Sequence, residues 1–341
     1  MSRALSRRSW LAAVGAIACA RRACSQNAIV EEISPATNAA ILRGLGWLAS
    51  RQEDDGSFGG DGYGRNTAVC SLAGLAFLAE GSVPGRGKFG RAITKSLSFV
   101  LSAGDESGFL SLAESASHGP MYDHGFATLF LAETYGLTSR GEVRERLAKA
   151  VKLIVAVQNK DGGWRYHPRV ADADISVTIC QVTALRAARN AGLFVPAETI
   201  ERAVRYIKRC QNADGGFMYM LEGGPSKFPR SAAGVCALFN AGVYDGPEVK
   251  KGLEYLRGFL PKAEDIHRDT HSVYGQYYAA QVMWQAGGDD WKRWYPAVRD
   301  AILAVQEPAG SWPDPLSLEY GAAMNCLILQ LPNNLLPIFQ R

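Results

Sequence analysis

The sequence predicts an all-α protein in which six inner and six outer helices close into an α/α toroid with a single domain. Two observations carry this prediction. A short motif returns along the chain at a fixed spacing, and the segments between its copies alternate between two kinds of helix. A fixed period of this length is typical of a repeat architecture, in which each unit is one supersecondary element.

The repeated motif consists of an amide, an acid, a glycine and an aromatic residue. Its clear copies occupy residues 52–58, 158–164, 211–217 and 306–312, and a weaker copy occupies residues 104–109. The first glycines of successive copies are 52, 54, 53 and then 95 residues apart, and the last step is close to twice the others. The double step predicts an eroded copy near residues 260–270, which makes six units in all.

Each unit contains an apolar segment rich in small residues, which we expect to form a buried inner helix. These segments span residues 66–80, 123–135, 174–191, 231–241, 272–286 and 319–330. Five of the six are followed by a glycine, the residue that best tolerates the left-handed conformation closing a helix. Within the motif, glycine permits a tight turn, the acid is expected to cap a helix, and the aromatic residue fills the gap between units.

A second, two-faced segment accompanies each apolar one, with apolar residues at helical spacing and charges on the other face. We expect these segments to form the outer helices, at residues 37–51, 89–103, 143–158, 196–211, 247–260 and 294–306. The predicted organisation is an export signal at 1–25, a linker at 26–36, the toroid of six helical hairpins at 37–331, and a C-terminal tail at 332–341.

The N-terminal segment has the composition of an export signal. It places arginines, including the pair Arg7 and Arg8, before an apolar run from Trp10 to Ala20, and it resembles a twin-arginine leader. Loss of residues 1–25 removes five arginines and no acids, so the formal net charge changes from +4 to −1. The basic character therefore belongs to the leader, and no nucleic-acid partner is expected.

Two further properties restrict the class of protein. No apolar run reaches the length of about 18 residues needed to cross a bilayer, so no transmembrane segment is expected. The five cysteines beyond the leader are few, odd in number and widely spaced, and we interpret them as small buried residues rather than a disulfide framework.

Polar and aromatic residues collect where the inner helices begin. Because all inner helices of a toroid start at the same end, we expect these residues to surround the mouth of a central cavity with apolar walls. The converging helix dipoles make that end favourable for an anionic group. The histidines lack the spacing of a metal site, so no metal and no cofactor are expected. The candidate ligand-binding residues are His118, Tyr122, Asp123, His124, Arg230, His271, Tyr274 and Tyr320.

The repeated pattern Gln-x-x-Asp-Gly-(Gly/Ser)-(Phe/Trp) resembles the prenyltransferase and squalene-oxidase repeats of the QW type. These repeats belong to the terpenoid cyclase and protein prenyltransferase superfamily, and the resemblance covers residues 37–331. It implies an α/α toroid and an apolar, isoprenoid-type ligand in the central cavity.

The resemblance also implies a candidate acid. Class II cyclases of this superfamily carry the pattern Asp-x-Asp-Asp-(Thr/Ser) before an inner helix, and its middle aspartic acid protonates an alkene or epoxide. This chain has Asp172-Ala173-Asp174-Ile175-Ser176 in the matching place. By resemblance Asp174 is the general acid and Asp172 is the first acid of the pattern, while Ile175 stands where the family has its third acid. The alternative is that Asp174 only caps the inner helix that follows it.

The leading hypothesis is an exported terpenoid-cyclase-like or prenyl-group-handling protein, with Asp174 as its acid if the protein is an enzyme. Two alternatives stay open. The first is a non-catalytic toroid that binds a ligand or serves as a scaffold. The second is a glycan-degrading toroid enzyme that uses histidine and aspartate residues at the mouth, including His124.

Overall fold

The computed structural model describes residues 33–60, 63–113, 115 and 117–340. The predicted export signal and most of the linker lie outside these ranges. In chain order the described α-helices are α1 (Pro35–Arg51), α2 (Thr67–Ala79), α3 (Gly90–Ser102), α4 (Pro120–Thr134), α5 (Glu142–Ala156), α6 (Ile175–Asn190), α7 (Ala197–Arg209), α8 (Phe228–Asn240), α9 (Pro247–Arg257), α10 (Ala263–Ile266), α11 (Ser272–Ala286), α12 (Gly288–Ala304) and α13 (Leu318–Leu329).

Six helices, α2, α4, α6, α8, α11 and α13, form an inner ring. Each contacts the next along the chain, and α13 contacts α2, so the ring is closed. Helices α1, α3, α5, α7, α9 and α12 form the outer layer. The predicted toroid of six inner and six outer helices is therefore confirmed.

The two layers follow from the composition of their helices. Every residue of α2 is buried, which suits a segment without a single charged side chain. Helix α7 buries only Thr199, Ala203, Tyr206 and Ile207, and its charged side chains lie on the opposite face. A helix that is apolar all round belongs inside, whereas a helix with one apolar stripe belongs on the surface of the core.

The repeated motif joins each outer helix to the next one. In the third copy the Gln158 side chain donates to the carbonyl oxygen of Gly162 (2.8 Å) and to that of Thr199 in the first turn of α7 (2.9 Å). The Trp164 ring is buried, and its Nε1 donates to the Ile154 carbonyl oxygen at 2.8 Å. The glutamine thus connects two consecutive repeats, and the aromatic ring fills the space between their helices.

The last copy of the motif closes the ring on the first helix. Gln306 donates to the carbonyl oxygens of Gly310 (3.1 Å) and of Ala40 in α1 (2.9 Å). The acid of the motif has a different role from the one expected. Asp214 accepts a hydrogen bond from the Gly216 amide at 3.0 Å, so it stabilises the turn of the motif itself rather than a helix end.

The eroded copy of the motif lies between α9 and α11. Its glycine, Gly258, has a φ of −71°, so the left-handed turn of the other copies is absent from this segment. The segment instead contributes Phe259, Leu260 and Lys262 to the wall of a central cavity. Two outer helices also differ from prediction: α9 ends earlier, and α12 begins at Gly288 directly after α11 and includes Pro296 in its interior.

The C-terminal tail covers the end of the ring where the inner helices finish. It forms two 3-10 turns, Leu331–Asn333 and Pro337–Phe339, and the Phe339 side chain is buried. The Trp284 Nε1 of α11 donates to the Phe339 carbonyl oxygen (3.1 Å). Asn333 donates to the Ala79 carbonyl oxygen at the end of α2 (2.9 Å). The tail therefore closes one end of the toroid, and the cavity opens at the other.

Candidate functional site

A cavity of about 920 Å³ lies inside the ring at the end where the inner helices begin. Its volume is at the upper end of the range for small-molecule sites, roughly 300–1,000 Å³. All six inner helices contribute residues from their first turns or the loops before them. The cavity therefore lies at the end of the ring that the sequence predicted. Seven of the eight candidate ligand-binding residues line it: His118, Tyr122, Asp123, Arg230, His271, Tyr274 and Tyr320.

Aromatic side chains form much of the cavity wall. Tyr274 is 9 % exposed, and its hydroxyl donates to the Ser176 carbonyl oxygen at 3.2 Å, so its ring is fixed against α6. The rings of Tyr122 and Tyr166 lie 6.2 Å apart between their centroids. Burial raises the pKa of Tyr122, Tyr274 and Tyr320 well above the usual value of 10, so these phenols are neutral. Neutral aromatic faces suit an apolar chain and also stabilise a cation held against them.

Asp123 is the buried carboxyl group on this wall. It lies in the first turn of α4 and is 1 % exposed. Its Oδ1 accepts from Asn66 Nδ2 (3.0 Å) and Ser117 Oγ (3.1 Å), and its Oδ2 accepts from Ser111 Oγ (2.8 Å). The orientation of the Asn66 amide follows from its own position as the N-cap of α2, because its oxygen accepts from the Val69 amide at 3.0 Å.

The surroundings of Asp123 raise its pKa. Burial raises the pKa of Asp123 from its ordinary value of 3.8 to about 6, and the hydrogen bonds from Ser111, Asn66 and Ser117 limit the rise. All three donors are neutral. A carboxyl group with no cation beside it in a dry wall takes up a proton far more readily than an exposed one.

Asp174 occupies a different place from the one that the resemblance implies. It is the N-cap of α6, where its Oδ1 accepts from the Val177 amide at 2.8 Å, and it is not part of the cavity wall. Its Oδ2 lies 2.8 Å from the Arg165 guanidinium, which also approaches Asp172 at 3.5 Å. Asp172 and Asp174, the two acids that the resemblance assigns to catalysis, thus form ion pairs with Arg165 outside the cavity wall. Asp174 also caps α6, so it has a structural role at this position.

The pKa of Asp174 is also raised to about 6, again because of burial. The Val177 amide and the Arg165 cation limit that rise. An aspartate with a guanidinium at hydrogen-bond distance is held in its charged form. Asp174 therefore lacks the location that an acid facing the cavity needs, and its partner is a cation.

His124 does not line the cavity either. The side chain is fully buried between α4 and α5, where its Nδ1 accepts from the Leu110 amide (3.1 Å) and its Nε2 donates to the Ala150 carbonyl oxygen (3.2 Å). Burial lowers the pKa of His124 to about 4, so the ring is neutral. Both ring nitrogens of His124 therefore make hydrogen bonds to the backbone. These bonds connect the end of the weak second copy of the motif to the outer helix α5.

The remaining histidine candidates lie at the mouth. His118 Nδ1 and the Tyr63 hydroxyl are 2.7 Å apart, and both residues line the cavity. His271 is exposed, and its Nδ1 lies 3.0 Å from Thr270 Oγ1. Within the part of the chain that the structure describes, no three histidine, cysteine, aspartate or glutamate side chains are grouped as a metal site would require.

Some cavity residues were not recognised in the sequence. Tyr63, Phe228 and Gln276 line the cavity, and Asn66 both lines it and binds Asp123. Asn66 could have been identified from the sequence, because it stands at the start of an inner helix and these starts surround the mouth of the cavity. Gln276 is 3 % exposed with its Oε1 unpaired among the described residues, and only the rotation of α11 decides that it faces inwards.

Cys70, Cys180, Cys210, Cys236 and Cys326 are all buried free thiols. Among the described residues no helix has the length and apolar character needed to cross a bilayer.

In the part of the chain that the structure describes, these features define an α/α toroid with a cavity that tyrosines line and one buried carboxyl group, Asp123, on its wall. The family model of the prenyltransferase alpha-alpha toroid domain matches residues 45–241, more than half of the chain. The chain belongs to this family, and the predicted superfamily and fold are confirmed.

One curated relative is similar over a short region. Drimenyl diphosphate synthase from Streptantibioticus cattleyicolor is 38 % identical over 81 residues, which make up 24 % of this chain. The match covers 15 % of that relative, well under two thirds of its length.

Solved structures share the whole fold at low identity. The type II terpene cyclase MstE from Scytonema, in complex with merosterolic acid A, has a TM-score of 0.62 and 13 % identity, covering 89 % of this chain and 98 % of the cyclase. An alpha-1,6-mannanase of Salegentibacter sp. HEL1_6 has a TM-score of 0.64 and 8 % identity, covering 88 % and 99 % of the two chains. At such identities these likenesses show the fold alone.

Proposed function

We propose that this protein is a terpenoid-cyclase-like enzyme that binds an isoprenoid-type substrate in the central cavity and protonates it with Asp123. The observation that carries the proposal is a buried carboxyl group on the wall of a large cavity with aromatic lining, whose hydrogen-bond donors among the described residues are all neutral. The role given to Asp174 by the sequence resemblance passes to Asp123.

The chemistry needs an acid that holds its proton until the substrate arrives. In the proposed step the Asp123 proton goes to an alkene carbon of the substrate, and the π electrons form the new C–H bond. The carboxylate that remains is stabilised by Ser111, Ser117 and Asn66, whose hydrogen bonds strengthen when the charge develops. The same donors would thus lower the barrier to proton transfer.

The wall supplies the other requirement, because protonation of an alkene leaves a carbocation. Tyr122, Tyr274 and Tyr320 line the cavity, and an aromatic face stabilises a cation held against it by roughly 0.5–2 kcal/mol. A cavity closed at one end by the C-terminal tail also limits water, which would otherwise intercept the cation early.

The named relatives support this choice over the alternatives. One relative is a drimenyl diphosphate synthase, and one solved structure of the type II terpene cyclase MstE contains geranylgeranyl dihydroxybenzoate as substrate. The mannanase with the same fold keeps the glycan-degrading alternative in view. However, the tyrosine and phenylalanine side chains on the wall, such as Tyr122, Tyr274 and Phe126, offer apolar surface that suits an isoprenoid chain.

We also propose that the protein is exported, with residues 1–25 as a twin-arginine-like leader. The arginine pair followed by an apolar run supports this assignment. Fractionation of cells producing the full chain tests it, and replacement of Arg7 and Arg8 by lysine should retain the protein in the cytoplasm. Equal distribution of both forms would contradict the assignment.

Asp123→Asn tests the catalytic proposal directly. Purified protein is incubated with geranylgeranyl-type substrates in D₂O, and products are identified by mass spectrometry. The wild type should form a cyclic product that carries one deuterium from the acid. Loss of general acid catalysis should lower kcat by about 10²–10⁴-fold in Asp123→Asn.

Asp174→Asn is the matched control, since Asp174 is equally buried but lies outside the cavity. It should keep its turnover within a few-fold of the wild type. Full turnover by Asp123→Asn, or a product without deuterium, would refute the role of Asp123. Saturable binding without any product would favour the non-catalytic alternative, and cleavage of a polysaccharide panel would favour the glycan-degrading one.

A further inference from the structure

Tyr166 and Tyr219 form a pair of phenols on the cavity wall. Both residues line the cavity, and their hydroxyl groups are hydrogen-bonded to each other. Tyr166 lies in the loop before α6 and Tyr219 lies in the loop before α8, so the pair joins two neighbouring units of the ring. The proposed proton transfer from Asp123 uses neither of the two hydroxyl groups.

The fold holds both tyrosines in place through their backbone and their packing. The Tyr166 carbonyl oxygen accepts from the Met121 amide at the start of α4 (2.9 Å). The Tyr219 carbonyl oxygen accepts from the Ile175 amide at the start of α6 (3.0 Å). The Tyr166 ring packs on Gly119, where an added Cβ would lie 2.5 Å from the ring atom Cδ1. The pair is therefore positioned before a ligand arrives, which lowers the cost of binding one.

Arg165 supplies a further donor to the pair. Its Nη1 donates to the Tyr219 hydroxyl oxygen (3.0 Å) and to Asp174 Oδ2 (2.8 Å). The guanidinium carbon also lies 4.4 Å from the centre of the Tyr166 ring. Burial raises the pKa of Tyr219, and the nearby Asp174 carboxylate adds to the rise, so the Tyr219 hydroxyl keeps its hydrogen. The Tyr219 oxygen thus already accepts one hydrogen bond from a cation.

One hydroxyl hydrogen of the pair is left without an acceptor. Each phenol carries one hydroxyl hydrogen at neutral pH, and the bond between the two hydroxyls uses only one of the two. If Tyr219 donates to Tyr166, the Tyr166 hydrogen is left over, and if Tyr166 donates, the Tyr219 hydrogen is left over. Among the described residues neither hydroxyl has another acceptor. The remaining hydrogen is therefore available to a ligand in the cavity.

The charges around the pair cancel. Arg165 pairs with Asp174 at 2.8 Å and approaches Asp172 at 3.5 Å. Arg230 lies 5.7 Å from the centre of the Tyr219 ring. These two arginines and two aspartates leave no formal net charge in the cluster. A hydroxyl donor in such surroundings suits an uncharged oxygen, and hydroxyl, ether and carbonyl oxygens all accept hydrogen bonds.

We propose that the pair Tyr166–Tyr219 donates a hydrogen bond to a neutral oxygen of the ligand, so that the cavity selects an oxygenated isoprenoid over a pure hydrocarbon. This inference rests on the proposed function, because it specifies the substrate class of the same cavity. The donor is strengthened by the chain of hydrogen bonds that begins at Arg165, since each bond in such a chain polarises the next.

Three uncharged probes with the same geranylgeranyl skeleton test the inference. The alcohol both donates and accepts a hydrogen bond, its methyl ether only accepts one, and the parent hydrocarbon does neither. Dissociation constants for the purified protein are measured by equilibrium dialysis of labelled probes, delivered from cyclodextrin at one fixed concentration. Each probe is compared between wild type and variants, so the different solubilities of the probes cancel.

The double variant Tyr166→Phe/Tyr219→Phe removes both hydroxyl groups and keeps both rings. It should weaken binding of the alcohol and the ether about tenfold, the effect of one good hydrogen bond, and change binding of the hydrocarbon by less than about twofold. Unchanged binding of the hydrocarbon also shows that the variant is folded. Either single variant retains one phenol hydrogen and should therefore lose less affinity for the ether than the double variant.

Tyr274→Phe is the matched control. Tyr274 lines the same cavity, but its hydroxyl already donates to the Ser176 carbonyl oxygen at 3.2 Å. Its loss removes a phenol that has no hydrogen left for a ligand. The control should therefore change binding of all three probes by the same factor.

Two results would overturn the inference and leave the proposed function standing. If the double variant changes binding of all three probes equally, or of none, the pair does not bind an oxygen of the ligand. If the alcohol loses affinity and the ether does not, the pair accepts a hydrogen bond instead of donating one. If no probe shows saturable binding to the wild type, the proposed function itself fails and the inference falls with it.

Discussion

Gly310 tests how the toroid closes, because it lies where the last motif meets the first helix. Its φ is +108°, and a Cβ added to it would lie 2.5 Å from the carbonyl oxygen of Arg43 in α1. That contact is with backbone, which cannot move away as a flexible side chain could. Gly242 provides a matched control: its φ is +90°, but a Cβ there would have no atom within 4 Å.

The expected magnitudes follow from these two environments. Either substitution by alanine places a side chain in the left-handed region, which costs about 1–2 kcal/mol. At Gly310 the clash adds the cost of overpacking, typically about 1–3 kcal/mol. We therefore expect Gly310→Ala to lower the free energy of unfolding by about 2–5 kcal/mol and Gly242→Ala by about 1–2 kcal/mol.

Equilibrium urea unfolding, followed by far-UV circular dichroism, measures both changes. The midpoint should fall further for Gly310→Ala than for Gly242→Ala, with a similar dependence on urea concentration. Equal destabilisation by the two variants would refute the reasoning, because it would mean that the contact between the last motif and α1 does not constrain the ring.

Three other predictions concern stability. Asp174→Asn retains an N-cap but loses the ion pair with Arg165, and urea unfolding should show a loss of about 1–3 kcal/mol. Burial raises the pKa of Asp123 from 3.8 to about 6 in the folded protein. The free energy of unfolding of the wild type, relative to that of Asp123→Asn, should therefore fall by up to about 3 kcal/mol as the pH rises from 4 to 7. Urea unfolding at both pH values measures this change. Phe339→Ala should cost about 3 kcal/mol by the same assay, whereas exposed Leu335→Ala should cost almost nothing.

Much of the fold could be predicted because the residues of the motif make the same contact in successive repeats. Gln158, Gln211 and Gln306 each bind the glycine of their own turn and a carbonyl oxygen of the next outer helix. A residue that makes the same contact in each unit leaves a periodic trace in the sequence. The eroded fifth copy leaves no such trace, and the structure of its loop, including the position of Phe259 at the mouth, could not be anticipated.

The site was harder to predict because it depends on helix rotation. Residues near the starts of the inner helices could be placed at one end of the ring, but not on one side of a helix. Asp174 precedes its helix, and its carboxylate turns back to the Val177 amide, as N-caps do. Asp123 lies inside the first turn of α4, and the adjacent His124 points to the outer layer while Asp123 faces the cavity.

The comparison of Asp123 with Asp174 shows what distinguishes an acid from a structural carboxylate in this ring. Burial raises the pKa of both to about 6, so burial alone does not separate them. The partners do. Arg165 supplies a permanent cation to Asp174, and protonation of that carboxyl would leave the arginine unbalanced. Among the described residues, the partners of Asp123 are Asn66 and two serines, which accommodate either protonation state, so a proton can leave for the substrate and return without disrupting the fold.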